Sequence, residues 1–205
     1  SKERLCLLLP EIEEKKDNFG RSNFGEQKRV LLEFVSANPT GPLHIGHGRG
    51  AVYGDVLGNI LSASGFLVSR EYYVNDTGNQ IETLGGSVKH RYLELFGEET
   101  EFPENGYCGE YITDIAKKIR KEEGEGAKEK DIAYFGRLAS KILLSEIQKT
   151  LADSSVQFCS FFYESSLYKE GKVEKLLSDL SPRAYKKDGA LWLATSELSD
   201  EKDRV

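Results

Sequence analysis

Two histidines three residues apart, His44 and His47, flank Gly46 in the run Ala37-Asn38-Pro39-Thr40-Gly41-Pro42-Leu43-His44-Ile45-Gly46-His47. Imidazoles, with an ordinary pKa of about 6.5, donate hydrogen bonds to phosphate oxygens at low cost. At positions i and i+3 of a first helical turn they project to the same side. Unpaired N–H groups and the helix dipole favour an anion there. Gly46 removes the side chain that would block a close-packed adenine ring. The chemistry within reach is therefore the binding of a nucleoside triphosphate, set against the plainer reading of two surface histidines in a loop. Zinc would need a third and fourth His or Cys nearby, and the sequence offers none, so no metal site is assigned.

Such a turn must be held between a strand and a helix. Residues 29–36 are mostly apolar and read as a strand buried on both faces, as in a parallel sheet. A helix is expected from about 45 to 64, ending at Gly65 as its C′ residue. Glycines at 46, 50, 54 and 58 form a stripe along it. Each interior one costs about 0.5–1 kcal/mol relative to Ala, so Gly50, Gly54 and Gly58 are expected to pack closely on a sheet, with contact to a ligand as the alternative. A second strand, 66–74, leads through the loop Asn75-Asp76-Thr77-Gly78-Asn79 into a helix over about 80–96. Strand, helix, strand makes a right-handed βαβ unit.

Beyond Gly97 the spacing predicts an acidic loop, helices over 110–123 and 131–152, a strand over 156–163 and a helix over 166–180. A hairpin turning at Asp188-Gly189 follows. The N-terminal part reads as a short helix over 5–16 and a polar linker over 17–28. The fold class is α/β: the first half of a Rossmann-like parallel sheet with an inserted α/β connective lobe. Its expected segments are 1–28, 29–96 and 97–205.

With 205 residues the chain can bury a real core. Its net charge of −6 argues against nucleic-acid binding over the whole surface. No apolar run approaches the roughly 20 residues that span a bilayer, and Leu7-Leu8-Leu9 is too short for a secretory signal. Cys6, Cys108 and Cys159 lack metal-ligand spacing and are expected as buried free thiols in a reducing, cytoplasmic compartment, with no membrane partner. The chain contains no methionine, so it is expected to be a piece of a longer protein. The basic run Lys117-Lys118-Ile119-Arg120-Lys121 is followed at once by Glu122-Glu123 and reads as a solvated helix face.

The stretch from Glu33 through Ser36, Asn38 and the two histidines to Gly50 resembles the HIGH region of class I aminoacyl-tRNA synthetases, and specifically bacterial arginyl-tRNA synthetase. The loop 74–80, the run Tyr107-Cys108-Gly109-Glu110-Tyr111, and the segments 188–192 and 202–205 are similar to the same family. The resemblance implies that L-arginine is activated with ATP to arginyl-adenylate and transferred to tRNA(Arg). Mg2+ is expected with ATP, and no cofactor is tightly bound. It further implies that His44 and His47 stabilise the pentavalent phosphorus, that Gly46 admits the adenine, and that Glu33 and Asn38 bind the amino acid.

Physical chemistry supports some of these assignments and leaves others open. A carboxylate ending an apolar strand, as at Glu33, suits a cleft or a cation such as a guanidinium, or is an ordinary strand-end charge. Ser36 could reach ATP through its hydroxyl or serve the turn. Asp76 and Gln80 lie where open α/β sheets bind ligands and are candidates for arginine. Asp76 could instead cap a helix. The family's second signature loop, Lys-Met-Ser-Lys-Ser, is absent, so the chain alone is expected to be inactive. The alternatives are an inactive RNA-binding or interaction module derived from such an enzyme, or a HIGH-type nucleotidyltransferase for another substrate.

Overall fold

The computed structural model describes residues 2–198 and 200–204; Val205, the end of the run 202–205, lies outside them. Packing divides the chain into two compact units, Ser1–Phe162 and Tyr163–Val205. That division does not follow the expected 96/97 boundary, because helices on both sides of it share one core.

In the first unit, α1 (Lys2–Lys15) precedes β1 (Arg29–Glu33), α2 (Ile45–Ala63), β2 (Leu67–Val74) and α3 (Asn79–Glu94). Then come α4 (Glu110–Glu123), α5 (Ile132–Asp153) and β3 (Ser160–Tyr163). The sheet order is β1-β2-β3. β1 and β2 run parallel in the register Arg29↔Leu67 to Glu33↔Glu71. The β2–β3 contacts also advance together: Arg70 with Cys159, Glu71 with Ser160, Tyr72 with Phe161 and Tyr73 with Phe162. The βαβ unit read from sequence is present.

β1 is not buried on both faces. Its exposure alternates, and Leu31 is 63% exposed. Among the described residues, the buried side chains of the sheet lie on one face, where Tyr72 and Val74 meet Ala51 of α2 and Leu144, Ile147 and Leu151 of α5. A second core joins Leu84, Val88 and Tyr92 of α3 to Ile112, Ile115 and Ile119 of α4 and Phe135 and Leu143 of α5. Each fully buried aliphatic or aromatic side chain there stabilises by about 1.5–3 kcal/mol. The i, i+3, i+7 spacing on α4 is what turns these residues to one side.

Other differences have local causes. The strand expected over 156–163 shrinks to β3 because residues 154–156 terminate α5, with Val156 N–H donating to the Leu151 carbonyl at 2.9 Å. The helix expected over 166–180 is two, α6 (Glu164–Lys169) and α7 (Lys172–Leu180), broken at Gly171, whose φ is +66°. The three cysteines are free, but they are exposed rather than buried. In the second unit β4 (Ala184–Lys187) and β5 (Ala190–Leu193) pair as the expected hairpin, with Asp188 and Gly189 at φ +51° and +78°. Both positive angles are what a type I′ turn requires.

Candidate functional site

The chain bends sharply where β1 ends. Val35 and Ser36 take φ of +64° and +39°. A β-branched residue there is strained, at a cost of about 1–3 kcal/mol per residue. Neighbouring bonds hold the bend. Ser36 N–H donates to the Phe34 carbonyl (2.9 Å), and its hydroxyl donates to Glu33 Oε1 (2.7 Å) while accepting from Tyr73 N–H (3.0 Å). Of the two readings of Ser36, this bonding favours the turn role. Glu33 is exposed at the strand end, with one carboxylate oxygen engaged by Ser36.

Two phenols then support the Pro/Gly turn from below. Tyr72 of β2 donates to the Ala37 carbonyl at 2.7 Å, and Tyr111 of α4 donates to the Thr40 carbonyl at 2.9 Å. Burial pushes Tyr72 up to about 12 and also raises Tyr111, so both remain neutral donors at ordinary pH. Neither tyrosine stands out by spacing as a site residue. Tyr111 lies in the Tyr107–Tyr111 motif, which by itself indicates no role.

At the start of α2 the histidines cap the helix and stack on each other, with ring centroids 3.8 Å apart. Gly46 N–H donates to His44 Nδ1 at 3.1 Å, and His44 N–H donates to His47 Nδ1 at 3.3 Å. The N–H groups of His47 and Gly48 go to the His44 carbonyl. These first-turn donors are thus satisfied within the chain rather than left open for an anion. Because each Nδ1 accepts, each neutral ring carries its proton on Nε2, which leaves one Nε2–H per ring for a ligand. Burial, and then the neighbouring His44, lower the pKa of His47, which keeps the pair from sharing two positive charges near neutral pH.

A cavity of about 350 Å3 opens beside the rings. Its walls bring together His44, His47, Asn38 and Gln80. Asn38 Nδ2 donates to Gln80 Oε1 at 2.7 Å, across the gap between the turn and α3. Thr40, Gly41 and Pro42 of the turn, with Tyr107 and Tyr111, form the remaining wall. Glu33, Ser36, Gly46 and Asp76 are not on this cavity. The residue that precedes α3 is Gly78, at φ +78°, two positions after Asp76.

The glycine stripe divides. A Cβ at Gly54 would enter the Phe34 ring, and one at Gly58 would stand 2.8 Å from the Arg70 guanidinium, but one at Gly50 meets nothing within 4 Å. Close packing therefore holds for Gly54 and Gly58 and, among the described residues, fails for Gly50. His90 is buried away from the turn, with Nδ1 2.7 Å from Thr100 and Nε2 3.2 Å from Glu94. The basic run on α4 is a solvated face: Lys117 pairs with Asp114, Lys118 with Glu146, and Arg120 lies over Phe96.

A family model described as tRNA synthetases class I (R), catalytic domain, matches residues 9–201. Among curated relatives, the chain is similar to the arginine–tRNA ligase of Geobacter sp. (strain M21), 46% identical over 203 residues covering 96% of this chain and 37% of the relative. It is also similar to that of Carboxydothermus hydrogenoformans, 48% identical over 211 aligned residues covering 100% of this chain and 38% of the relative. A solved structure assigned to an arginyl-tRNA synthetase of Campylobacter jejuni matches with a TM-score of 0.84 at 38% identity, covering 100% of this chain and 46% of that one. The chain thus spans little more than a third of the length of the curated relatives it matches. Among the described residues, no helix is long and apolar enough to cross a membrane.

Proposed function

The chain belongs to the family of class I tRNA synthetases (R), catalytic domain, and from that premise we propose that its strand–turn–helix site is part of an arginine–tRNA ligase active site. In this reading an oxygen of the arginine α-carboxylate attacks the α-phosphorus of ATP. The bond to the β-phosphate breaks, and pyrophosphate leaves with the electron pair. The acyl group of the arginyl-adenylate then passes to the terminal ribose of tRNA(Arg). No protein nucleophile is required, so the protein's contribution is positioning and stabilisation of charge.

The observation that carries the reading is the stacked His44–His47 pair, which lines one cavity together with the Asn38–Gln80 amides. The imidazoles would donate to the oxygens of the pentavalent phosphorus. A single such donor is typically worth about 10²–10³ in rate. Asn38 and Gln80 would bind the polar head of arginine, Glu33 its cationic end, and Gly46 would admit the adenine. Asp76 joins the arginine side at the end of β2, and Ser36 acts on ATP only through the turn it holds. The magnesium expected with ATP would arrive on the nucleotide's own phosphates. The residues lining the cavity include no Asp or Glu, and its amides, imidazoles, phenols and Thr40 hydroxyl do not suit this ion as carboxylate oxygens would, so none of these residues is assigned to hold it.

The test uses the three histidines as reporters. In the 15N-histidine spectrum of the 205-residue chain, ATP should shift the ring signals of His44 and His47 and leave those of buried His90 in place. His44→Ala and His47→Ala should each weaken ATP binding. ATP that leaves both signals unmoved, or binds equally well to both variants, overturns the reading.

A further inference from the structure

Between α3 and α4 the chain passes through residues 98–107 without forming a helix or strand. Among the described residues, no backbone N–H from 99 to 105 donates to a backbone carbonyl. Side chains hold this segment instead, and their anchors lie on one stripe of α3. Thr100 Oγ1 is 2.7 Å from His90 Nδ1, and the Phe102 ring stands edge-on to the imidazole, with centroids 5.1 Å apart. The Arg91 guanidinium lies 5.2 Å over the same Phe102 ring. One turn nearer the start of α3, a Cβ on Gly86 would stand 3.1 Å from Pro103 Cγ, so the missing side chain lets the segment lie close to the helix. Beside it the buried Ser87 hydroxyl accepts from Tyr107 N–H at 2.9 Å. Positions 86, 87, 90 and 91 share one side of a helix. Residues 98–107 therefore form a strap that runs back along α3 and ends at Tyr107, on the cavity that Asn38 and Gln80 also line.

His90 fastens the far end of this strap. It is only 9% exposed, and the chemistry assigned to the cavity does not use it. Both ring nitrogens are engaged, Nδ1 with Thr100 and Nε2 with Glu94 Oε1 at 3.2 Å. Glu94 is held in turn by Arg91 at 2.7 Å. A buried imidazole with one nitrogen unpaired is penalised, so the ring retains Thr100 rather than merely touching it. The threonine hydroxyl can donate to Nδ1 or accept from it, so the contact serves the neutral ring and the imidazolium alike. A second tie, Lys128 Nζ to Glu98 Oε1 at 3.0 Å, joins the same end to the α4–α5 connection.

We propose that His90 is a positioning residue for the cavity: by clasping Thr100 it seats the strap, and the seated strap fixes the Tyr107 wall beside Asn38 and Gln80. Segments with few backbone hydrogen bonds open as local units, and one clasp can govern such a unit. A wall fixed in advance binds its ligand more tightly than one that must be ordered on binding. With the turn read as an ATP and arginine site, on which the choice of ligand rests, L-arginine occupies that side. His44 and His47 stand on their own mutual bonds and are independent of the strap.

Thr100→Val removes the hydroxyl and keeps the side-chain shape, whereas Thr100→Ser keeps the hydroxyl. Hydrogen exchange at the Tyr107 amide, seven residues away, should quicken about two- to tenfold in Thr100→Val, the range for one hydrogen bond. Thr100→Ser should stay within about twofold of the wild type. His90→Leu should act as Thr100→Val does, and combining the two should add less than about twofold at Tyr107, because both remove the same contact. A role confined to local packing would lower the urea midpoint and leave Tyr107 exchange unchanged. L-arginine, followed at the side-chain amide signals of Asn38 and Gln80, should bind Thr100→Val about two- to tenfold more weakly and Thr100→Ser as the wild type. All variants should keep the ATP response at His44 and His47. The proposal is overturned if Thr100→Val leaves Tyr107 exchange unchanged or binds L-arginine as tightly as the wild type, or if the double variant is additive. It is also overturned if Tyr107 exchanges no faster than Val88 and Tyr92 of α3, since the segment then opens only with the whole core. Failure of the wild-type chain to bind L-arginine counts against the reading of the cavity, while the exchange rates still decide the strap.

Discussion

Along the α3/α5 pair, a Cβ on Gly85 would run into the carbonyl oxygen of Ile132, and one on Gly136 would stand 2.6 Å from that of Ile81. Along α2, by contrast, the four-residue glycine stripe meets the Phe34 ring at Gly54, the Arg70 guanidinium at Gly58 and open space at Gly50. The difference lies in what faces each glycine. Where backbone meets backbone, neither side can relax. A side chain can turn away at moderate cost. Where nothing is present, the glycine is not explained by packing within the chain at all.

The largest effect should come from Gly85→Ala. Overpacking costs about 1–3 kcal/mol, occasionally more, and an obstacle of main-chain atoms belongs at the upper end. A loss of about 3 kcal/mol, read as a lower urea midpoint with unchanged slope, is expected. Helix propensity returns only about 1 kcal/mol of it. A loss below about 1 kcal/mol would break the comparison, because it would show that the helices can part.

Gly54→Ala should cost less, about 1–2 kcal/mol net, since the Phe34 ring is only partly buried and can rotate. A cost equal to that of Gly85→Ala would mean that Phe34 is held as rigidly as a backbone, through its 4.5 Å ring contact with Phe158. Smaller again is Tyr111→Phe, which removes one hydrogen bond to the Thr40 carbonyl and should cost about 1 kcal/mol. That variant should also weaken the ATP response at His44 and His47 while leaving His90 unchanged. If it destabilises the chain without touching the histidines, Tyr111 supports the bundle and not the turn.

These contacts show how far the residues alone reveal the molecule. The strand–turn–helix unit is legible because Val30-Leu31-Leu32, the Pro/Gly turn and the histidine spacing each have a local physical cause, and all fall on adjacent residues. The hairpin at Asp188-Gly189 is legible for the same reason. The Gly85–Gly136 contact is not, because the two glycines are far apart in sequence and neither belongs to a repeat. The bare face of β1 is equally hidden: Val-Leu-Leu reads the same whether one face is covered or two, and only the placement of α5 decides. At the site, His44, His47, Asn38 and Gln80 are recognisable by type and spacing, whereas the phenol of Tyr111 reaches Thr40 across 71 residues of sequence. Long-range hydrogen bonds of this kind leave no periodic trace.

Gly50 gives the smallest change in stability and the sharpest test of the comparison. Its Cβ would point into open space one helical turn beyond Gly46, so Gly50→Ala removes a flexible residue from a helix interior and adds no clash. The chain should become more stable by up to about 0.5–1 kcal/mol, seen as a small rise in the urea midpoint. A destabilisation would mean that the stripe packs along its whole length and that the two halves of α2 do not differ. If the stability gain appears but ATP binding weakens, the methyl group obstructs the nucleotide, and the glycine is there to let a ligand approach the helix. If both stability and ATP binding improve or hold, nothing in this chain requires glycine at this position. The adenine would then rest on Gly46 alone, where a Cβ would already stand 2.9 Å from the His44 ring.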